Sequence, residues 1–317
     1  MRRSPFRCTL ALTEGPKSGN PGLQFTMIKA IDFCCGAGGL TRGLLDAGID
    51  VLAGVDIDCR LRDTYERNNS PARFVCQDIR RVRINFILVE NVPGLNTAYG
   101  KRVFDRFVTA LDGCGFRNRY SGFLDAKDFG VPQVRKRFIL LASRNGEIVP
   151  PRRSRRVATV REYIAKYPPL VDGEACGAIE NHIARQLPPH LKRIVCAVPR
   201  DGGSRRDVAD KELLLKCHRE RPDTHKDVFG RMAWDRPGPT LTGRCTDVYC
   251  GRFTHPDQDR GLSLREAAAL QTFRDDYVFY GTFFHIAHQI GNAVPVKLGA
   301  RLGLAIKRAA LREGILR

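Results

Sequence analysis

Short apolar runs alternate along this chain with stretches of helical period, and the first clear run is Lys29 to Leu40, KAIDFCCGAGGL. Ala30, Ile31, Phe33 and Cys34 surround Asp32 and give way to Gly36, Gly38 and Gly39. Leu40, Leu44 and Leu45 then recur at helical spacing up to Ala47-Gly48. The pattern predicts a strand, a glycine turn and a helix. Val51 to Val55 predicts a second strand, ending in Asp56. A helix from Cys59 to Asn68 follows, with Leu61 and Tyr65 on one face, and then the turn Asn69-Ser70-Pro71. Phe74 to Cys76 reads as a third strand running into Gln77-Asp78-Ile79, and Phe86 to Val89 as a fourth running into Glu90-Asn91-Val92.

Beyond these strands, Val103, Phe104, Phe107, Val108 and Leu111 hold helical spacing up to Gly113 and Gly115. Phe138 to Ala142 is a further strand. Pro150-Pro151 and the run Arg152, Arg153, Arg155, Arg156 then mark a linker, and prolines, glycines and charges without long periodic segments continue to about Arg236. Order returns with Ser263 and Glu266, spaced as a capping box before a helix from Leu264 to Gln271. Gly291 to Pro295 opens a last helix carrying Leu298, Leu302 and Ile306. The expected organisation is a disordered extension over 1–26 and a first domain over 27–144. A smaller irregular domain covers 145–250, and 251–317 returns to the first.

Charge changes the picture more than size does. In 317 residues, Lys and Arg number 53 against 34 Asp and Glu, a formal charge of +19. Such an excess favours a polyanionic partner, because neutralised phosphates release their counterions. The eleven cysteines do not form the even framework of a small secreted fold, and most read as reduced thiols. Cys245, Cys250 and His255 match no standard zinc spacing, so no metal is expected. No apolar run approaches membrane-spanning length, and a soluble cytoplasmic protein is expected.

The glycine turn lets backbone approach a ligand where a Cβ would collide, and the Asp56 carboxylate at the end of the next strand can accept both hydroxyls of a ribose. Together they read as the first half of a nucleoside-binding α/β sheet. A nicotinamide oxidoreductase would need GxGxxG, whereas Gly36, Gly38 and Gly39 fit GxGG.

With these pieces in order, the chain resembles the DNA (cytosine-5) methyltransferase family, bacterial type, from Lys29 to about Gly303. Phe33 to Gly39 resembles the motif that receives the methionine part of S-adenosylmethionine. Glu90-Asn91-Val92 resembles ENV, Gln133-x-Arg135-x-Arg137 resembles QxRxR, and Gly291 to Pro295 resembles GNAVP. The resemblance implies a Rossmann-like methyltransferase sheet with a smaller irregular target-recognition domain. It assigns the cofactor to Phe33, Gly36, Gly38, Gly39, Asp56, Asp78, Ile79 and Asn292. It assigns the edge of the flipped cytosine to Glu90, and its carbonyl oxygen and the adjoining loop to Arg137 and, less directly, Arg135. Double-stranded DNA is the implied partner of a cytoplasmic, nucleoid-associated monomer, in a restriction-modification setting.

One family element is missing. The family carries its nucleophilic cysteine in a Pro-Cys-Gln segment between the adenine-binding acid and ENV. Here that interval is the twelve-residue step from Asp78 to Glu90, and no Pro-Cys dipeptide occurs in the chain. A parallel crossover does not fit in so short a step, so the sheet is expected to be short of one strand. Three readings stay open: an impaired methyltransferase, a catalytically inactive relative that still binds DNA and S-adenosylmethionine, and a chain completed by a partner.

Overall fold

The computed structural model describes residues 7–12, 28–76, 86–91, 98–144 and 146–312. These residues carry seven strands: β1 (Arg7–Leu12), β2 (Lys29–Phe33), β3 (Asp50–Val55), β4 (Arg73–Val75), β5 (Phe86–Asn91), β6 (Asn118–Asp125) and β7 (Lys136–Ser143). The helices are α1 (Gly39–Asp46), α2 (Arg62–Asn68), α3 (Ala98–Gly113), α4 (Val160–Ile164), α5 (Pro189–Ala197), α6 (Lys216–Glu220), α7 (Leu264–Leu270), α8 (Phe283–Asn292) and α9 (Val296–Arg312). All seven strands join one sheet in the order β4-β3-β2-β1-β5-β7-β6. The chain divides into two compact units. Unit 1 comprises the residues up to Phe129, Lys136–Arg155 and Val294 onward; unit 2 comprises Gly130–Arg135 and Arg156–Ala293.

Unit 1 is built on the sheet. β2, β3 and β4 run parallel, whereas β6, β7 and β5 pair antiparallel. β7 is buried along nearly its whole length, as its unbroken apolar run Phe138 to Ala142 requires. Phe104 and Phe107 of α3, with Leu111, pack on Ile87, Val89, Phe138, Leu140 and Ala142. α1 and α9 approach so closely that a Cβ on Gly43 would lie 2.4 Å from the carbonyl oxygen of Val296. A glycine is required there by space rather than by backbone angle.

Two expectations about unit 1 need correction. The segment 1–26, expected to be a disordered extension, contributes β1. The sheet is not short of a strand either, because β1 lies between β2 and β5 and pairs antiparallel with both. Without it, those two strands would each face a gap with a row of unpaired N–H and C=O groups. The alternation of Cys8, Leu10 and Leu12 with Arg7, Thr9 and Ala11 was the available signal. β6 also escaped the pattern, because its outer positions are half exposed.

Unit 2 has no extended sheet; among the described residues its pairing consists of isolated bridges such as Gln133 with Gly238. Its boundaries differ from the expected 145–250. The linker arginines up to Arg155 stay with unit 1, while α7 and α8, expected in the returning catalytic part, belong to unit 2. An apolar cluster of Leu187, Leu191, Ile194, Val195, Val198, Val208, Leu214, Phe229 and Val248 forms one centre. Buried arginines tie the irregular backbone together. Arg231 donates to the carbonyls of Val195, Val198, His255 and Gln258 and pairs with Asp259. Arg265 serves the carbonyls of Glu180, Arg274 and Tyr277. A guanidinium carries five donors in a fixed fork, so one side chain can satisfy carbonyls that a sheet ladder would otherwise hold. The expected capping box is present, with Ser263 Oγ accepting the Glu266 N–H at 3.0 Å and the Glu266 carboxylate accepting the Ser263 N–H at 2.8 Å.

Candidate active site

In unit 1 the turn between β2 and α1 depends on left-handed backbone at Cys34 (φ 54°), Gly36 (φ 56°) and Gly38 (φ 82°). A Cβ on Gly38 would lie 2.2 Å from Asn69 Nδ2, so this glycine is fixed by conformation and by space. The Gly36 N–H donates to Asp56 Oδ2 at 3.0 Å, and the Asp58 N–H donates to Asp56 Oδ1 at 3.0 Å. Asp56 is thereby oriented at the carboxyl end of β3, and each oxygen keeps acceptor capacity for a further donor such as a ribose hydroxyl. Phe33, at the end of β2, is half-buried. Gly39 opens α1 and is buried.

Behind the turn lies a buried polar chain that the sequence reading missed. Thr41 Oγ1 donates to Asp32 Oδ2 at 2.7 Å and lies 2.9 Å from the Tyr65 hydroxyl. Asp32 is 1% exposed and Tyr65 fully buried. A Cβ on Gly54 would fall on the Tyr65 ring. This chain fixes α1 and α2 against the strand ends that carry the turn. The available signal was an acid inside an apolar strand, which at such burial requires a partner.

Most cysteines were expected as reduced thiols, but Cys59 and Cys76 form a disulfide. The 3-10 turn Cys59–Leu61, capped by Asp58, and the end of β4 bring their Cα atoms to 5.6 Å, a separation only the folded sheet edge determines. Asp78 and Ile79 lie just past Cys76 and fall outside the described residues.

Glu90, near the end of β5, is 6% exposed and meets Arg137 of β7, with Glu90 Oε1 3.0 Å from Arg137 Nε. The antiparallel register, Glu90 opposite Ile139 and Asn91 opposite Phe138, sets these two side chains at the same end of adjacent strands. Arg137 Nη1 also donates to the Lys136 carbonyl. A carboxyl and a guanidinium side by side offer one hydrogen-bonding group that can carry a proton and one fixed cation. That is suited to the edge of a polar heterocycle.

Arg135 is held by backbone carbonyls. It belongs to unit 2, is 2% exposed, and donates to the carbonyls of Leu241, Gly291 and Ala293. Gln133 lies beside it, accepting the Leu241 N–H and donating toward Gln271. The Gln133 and Arg135 side chains thus knit the GNAVP backbone to the 240s loop. Asn292, at the end of α8, contacts the ring of His288 through Nδ2. A Cβ on Gly291 would fall on the Thr242 carbonyl, which explains that glycine.

In unit 2, burial raises the pKa of the Cys196 and Cys250 thiols. Burial pushes the Cys245 thiol up to about 12, so it stays protonated at neutral pH. Among the described residues, no group of three or more His, Cys, Asp or Glu could hold a metal ion. No described helix is long and apolar enough to cross a membrane.

A glycine turn feeding a helix, an oriented acid at the end of the next strand and a carboxyl–guanidinium pair on β5 and β7 define an α/β enzyme class. The comparison with known proteins narrows it. The model of the C-5 cytosine-specific DNA methylase family matches residues 28–86 and 84–308, so the chain belongs to that family. Type II methylase M.HgiDII of Herpetosiphon aurantiacus is 34% identical, over 88% of this chain and 94% of the relative. The fold is similar to a solved putative DNA modification methyltransferase encoded in an E. coli prophage, with TM-score 0.65 and 20% identity, covering 89% of this chain and 99% of that one. It is also similar to the methyltransferase EhMeth of Entamoeba histolytica, with TM-score 0.56 and 12% identity, covering 88% and 97%. The match to the family model breaks into two pieces at 84–86, inside the short step between Asp78 and Glu90.

Proposed function

We propose that this DNA (cytosine-5) methyltransferase family member binds S-adenosylmethionine at the β2–α1 turn and a flipped cytosine at Glu90 and Arg137. As it stands, it transfers methyl poorly or not at all. The cofactor assignment is supported by the left-handed turn at Gly36 and Gly38 and by Asp56, oriented by two N–H donors. Phe33 is assigned to stacking on the adenine ring, and Asp78 and Ile79, which lie outside the described residues, are given to the adenine as well. When bound, S-adenosylmethionine supplies an electrophilic methyl group.

The Glu90 carboxyl would hold the pyrimidine edge and stabilise charge developing on the ring. The Arg137 guanidinium would hold the carbonyl oxygen. Arg135 acts one step away, by holding backbone in unit 2. The family reaction first adds a thiolate to cytosine carbon 6, because carbon 5 is otherwise too weak a nucleophile. The observation that carries the impairment is the twelve-residue step from Asp78 to Glu90 without a Pro-Cys dipeptide. The slot between β2 and β5 is filled by β1 instead. The alignment with the Herpetosiphon methylase spans 339 positions, more than the 317 residues of this chain, so some of its residues face gaps here.

The test is incubation of the purified chain with methyl-labelled S-adenosylmethionine and duplex DNA, alongside binding of each ligand alone. Binding without incorporation is expected. Label in cytosine would refute the impairment, and absence of cofactor binding by a cooperatively folded chain would refute the retained pocket.

A further inference from the structure

The last helix, α9, buries one side and turns the other to solvent. Leu298, Leu302, Ala305, Ile306, Ala309 and Ala310 are buried, and Gly299 and Gly303 lie against Leu40 and Leu44 of α1. The outer side differs in composition. The 17 residues of α9 carry five Lys or Arg and no Asp or Glu. Arg301, Leu304, Arg308, Leu311 and Arg312 recur at helical spacing and so share one stripe. Arg312 is exposed, Arg301 and Arg308 are half-exposed, and Leu304 and Leu311 are 39% and 50% exposed.

Arg152, an exposed residue of the linker run that stays with unit 1, joins this stripe. Burial lowers the proton affinity of Arg308, and Arg152, Arg312 and Arg301 act on it in the same direction. Among the described residues no carboxylate pairs with any of these four guanidiniums. Their neighbours in the linker are answered, because Arg153 faces Asp128 and Arg156 pairs with Glu162.

Like charges on one helix face repel, so the cluster weakens the fold slightly unless an anion lies against it. The helix dipole favours a cation at the C-terminal end, which accounts for Arg312 in the last turn. It does not account for Arg301, about three turns earlier, or for Arg152 on another element. A lipid surface would need the apolar side of the helix, which is already buried. Duplex DNA needs only the cations. It presents one negative charge about every 1.7 Å along its axis, so the ~16 Å from Arg301 to Arg312 meets phosphates wherever it lands.

We propose that the outer stripe of α9, together with Arg152, is a sequence-independent contact surface for the phosphates of duplex DNA, additional to the cytosine contacts at Glu90 and Arg137. Charge complementarity carries the inference. It rests on the chain meeting duplex DNA, as its family does, and not on methyl transfer.

The test measures binding of the full chain to short labelled duplexes of two unrelated sequences over a series of chloride concentrations. In a variant combining Arg301→Gln, Arg308→Gln and Arg312→Gln, the slope of log affinity against log salt should fall by about 2–3, equally for both sequences. Arg152→Gln alone should lower it by about 1. The melting temperature of the combined variant should not fall, since it loses no ion pair; if it does not fold, Arg152→Gln decides. Duplex binding with an unchanged slope in these variants would overturn this inference alone. No duplex binding by the unaltered chain would overturn it together with the DNA-binding reading. Phosphatidylserine vesicles that bind through these arginines while the duplex slope stays unchanged would assign the stripe to a lipid surface instead.

Discussion

Glu90–Arg137 in unit 1 and Arg260–Glu266 in unit 2 are both buried ion pairs, yet they are held in different ways. The first sits on two adjacent antiparallel strands, and the ladder sets the approach of the two side chains. The second has no ladder beneath it. Arg260, fully buried, donates twice to the Glu266 carboxylate, at 2.7 and 2.8 Å, and also to the carbonyls of Leu170 and Gly261. Glu266 in turn caps α7 through the Ser263 N–H. In unit 1 the backbone positions the charges, whereas in unit 2 the charges position the backbone. Polar substitutions should therefore be tolerated differently in the two units.

The largest expected effect is in unit 2. Glu266→Ala leaves the Arg260 charge buried without its carboxylate and removes the cap of α7. It should destabilise unit 2 by about 3–5 kcal/mol in urea unfolding. A loss below about 1 kcal/mol would mean that the guanidinium network is not what holds this unit. Next comes Gly43→Ala in unit 1, which sets a Cβ against the Val296 carbonyl and forces α1 and α9 apart. It should reduce stability by about 1–3 kcal/mol without touching any charge, and an unchanged melting temperature would contradict the close helix contact.

Acid should weaken unit 2 through His255. Burial lowers its pKa to about 4, against an opposing pull from Glu266, 3.8 Å away. Its Nδ1 accepts the N–H groups of Asp257 and Gln258, which requires an unprotonated nitrogen. Between pH 6.5 and 4 the unfolded chain therefore binds a proton that the folded chain refuses, and stability falls as pH falls through that window. From pH 7.5 to 5 the loss attributable to this ring should be about 2 kcal/mol. It should be absent in His255→Gln, and equal acid sensitivity of the two proteins would exclude the ring as its source.

The smallest effect belongs to Arg161–Asp235, an exposed pair at 2.7 Å that leaves no buried group behind when removed. Arg161→Ala should leave the unfolding midpoint unchanged within error, because solvent screens such pairs. A clear loss would show that its stacking on Trp234, 5.1 Å away, matters more than its charge.

The legible parts of the sequence were those whose physics is local. The turn Gly36 to Gly39, the strands ending in Asp56 and Glu90, and the Ser263–Glu266 cap all follow from backbone sterics, residue period or neighbouring hydrogen bonds. That Arg135 has a less direct role than Arg137 was legible, but not what it holds. Two residues apart in one motif, they fall in different units, one facing carbonyls and the other a carboxylate. β6 and the helix α8 were hidden by half-exposed faces.

By itself, then, the amino-acid order determined the family, the parallel half of the sheet, the glycine turn with its oriented acid, and the lack of a Pro-Cys segment before Glu90. Each depends on residues close together or on motifs in a set order. Only the tertiary structure decided that Arg7–Leu12 fills the sheet between β2 and β5, that Cys59 reaches Cys76, and that Arg231 is buried among the carbonyls of Val195, Val198, His255 and Gln258. Those outcomes depend on which unpaired edge, thiol or charge is nearest after folding, and distant segments meet by satisfying each other's unpaired groups rather than by local preference.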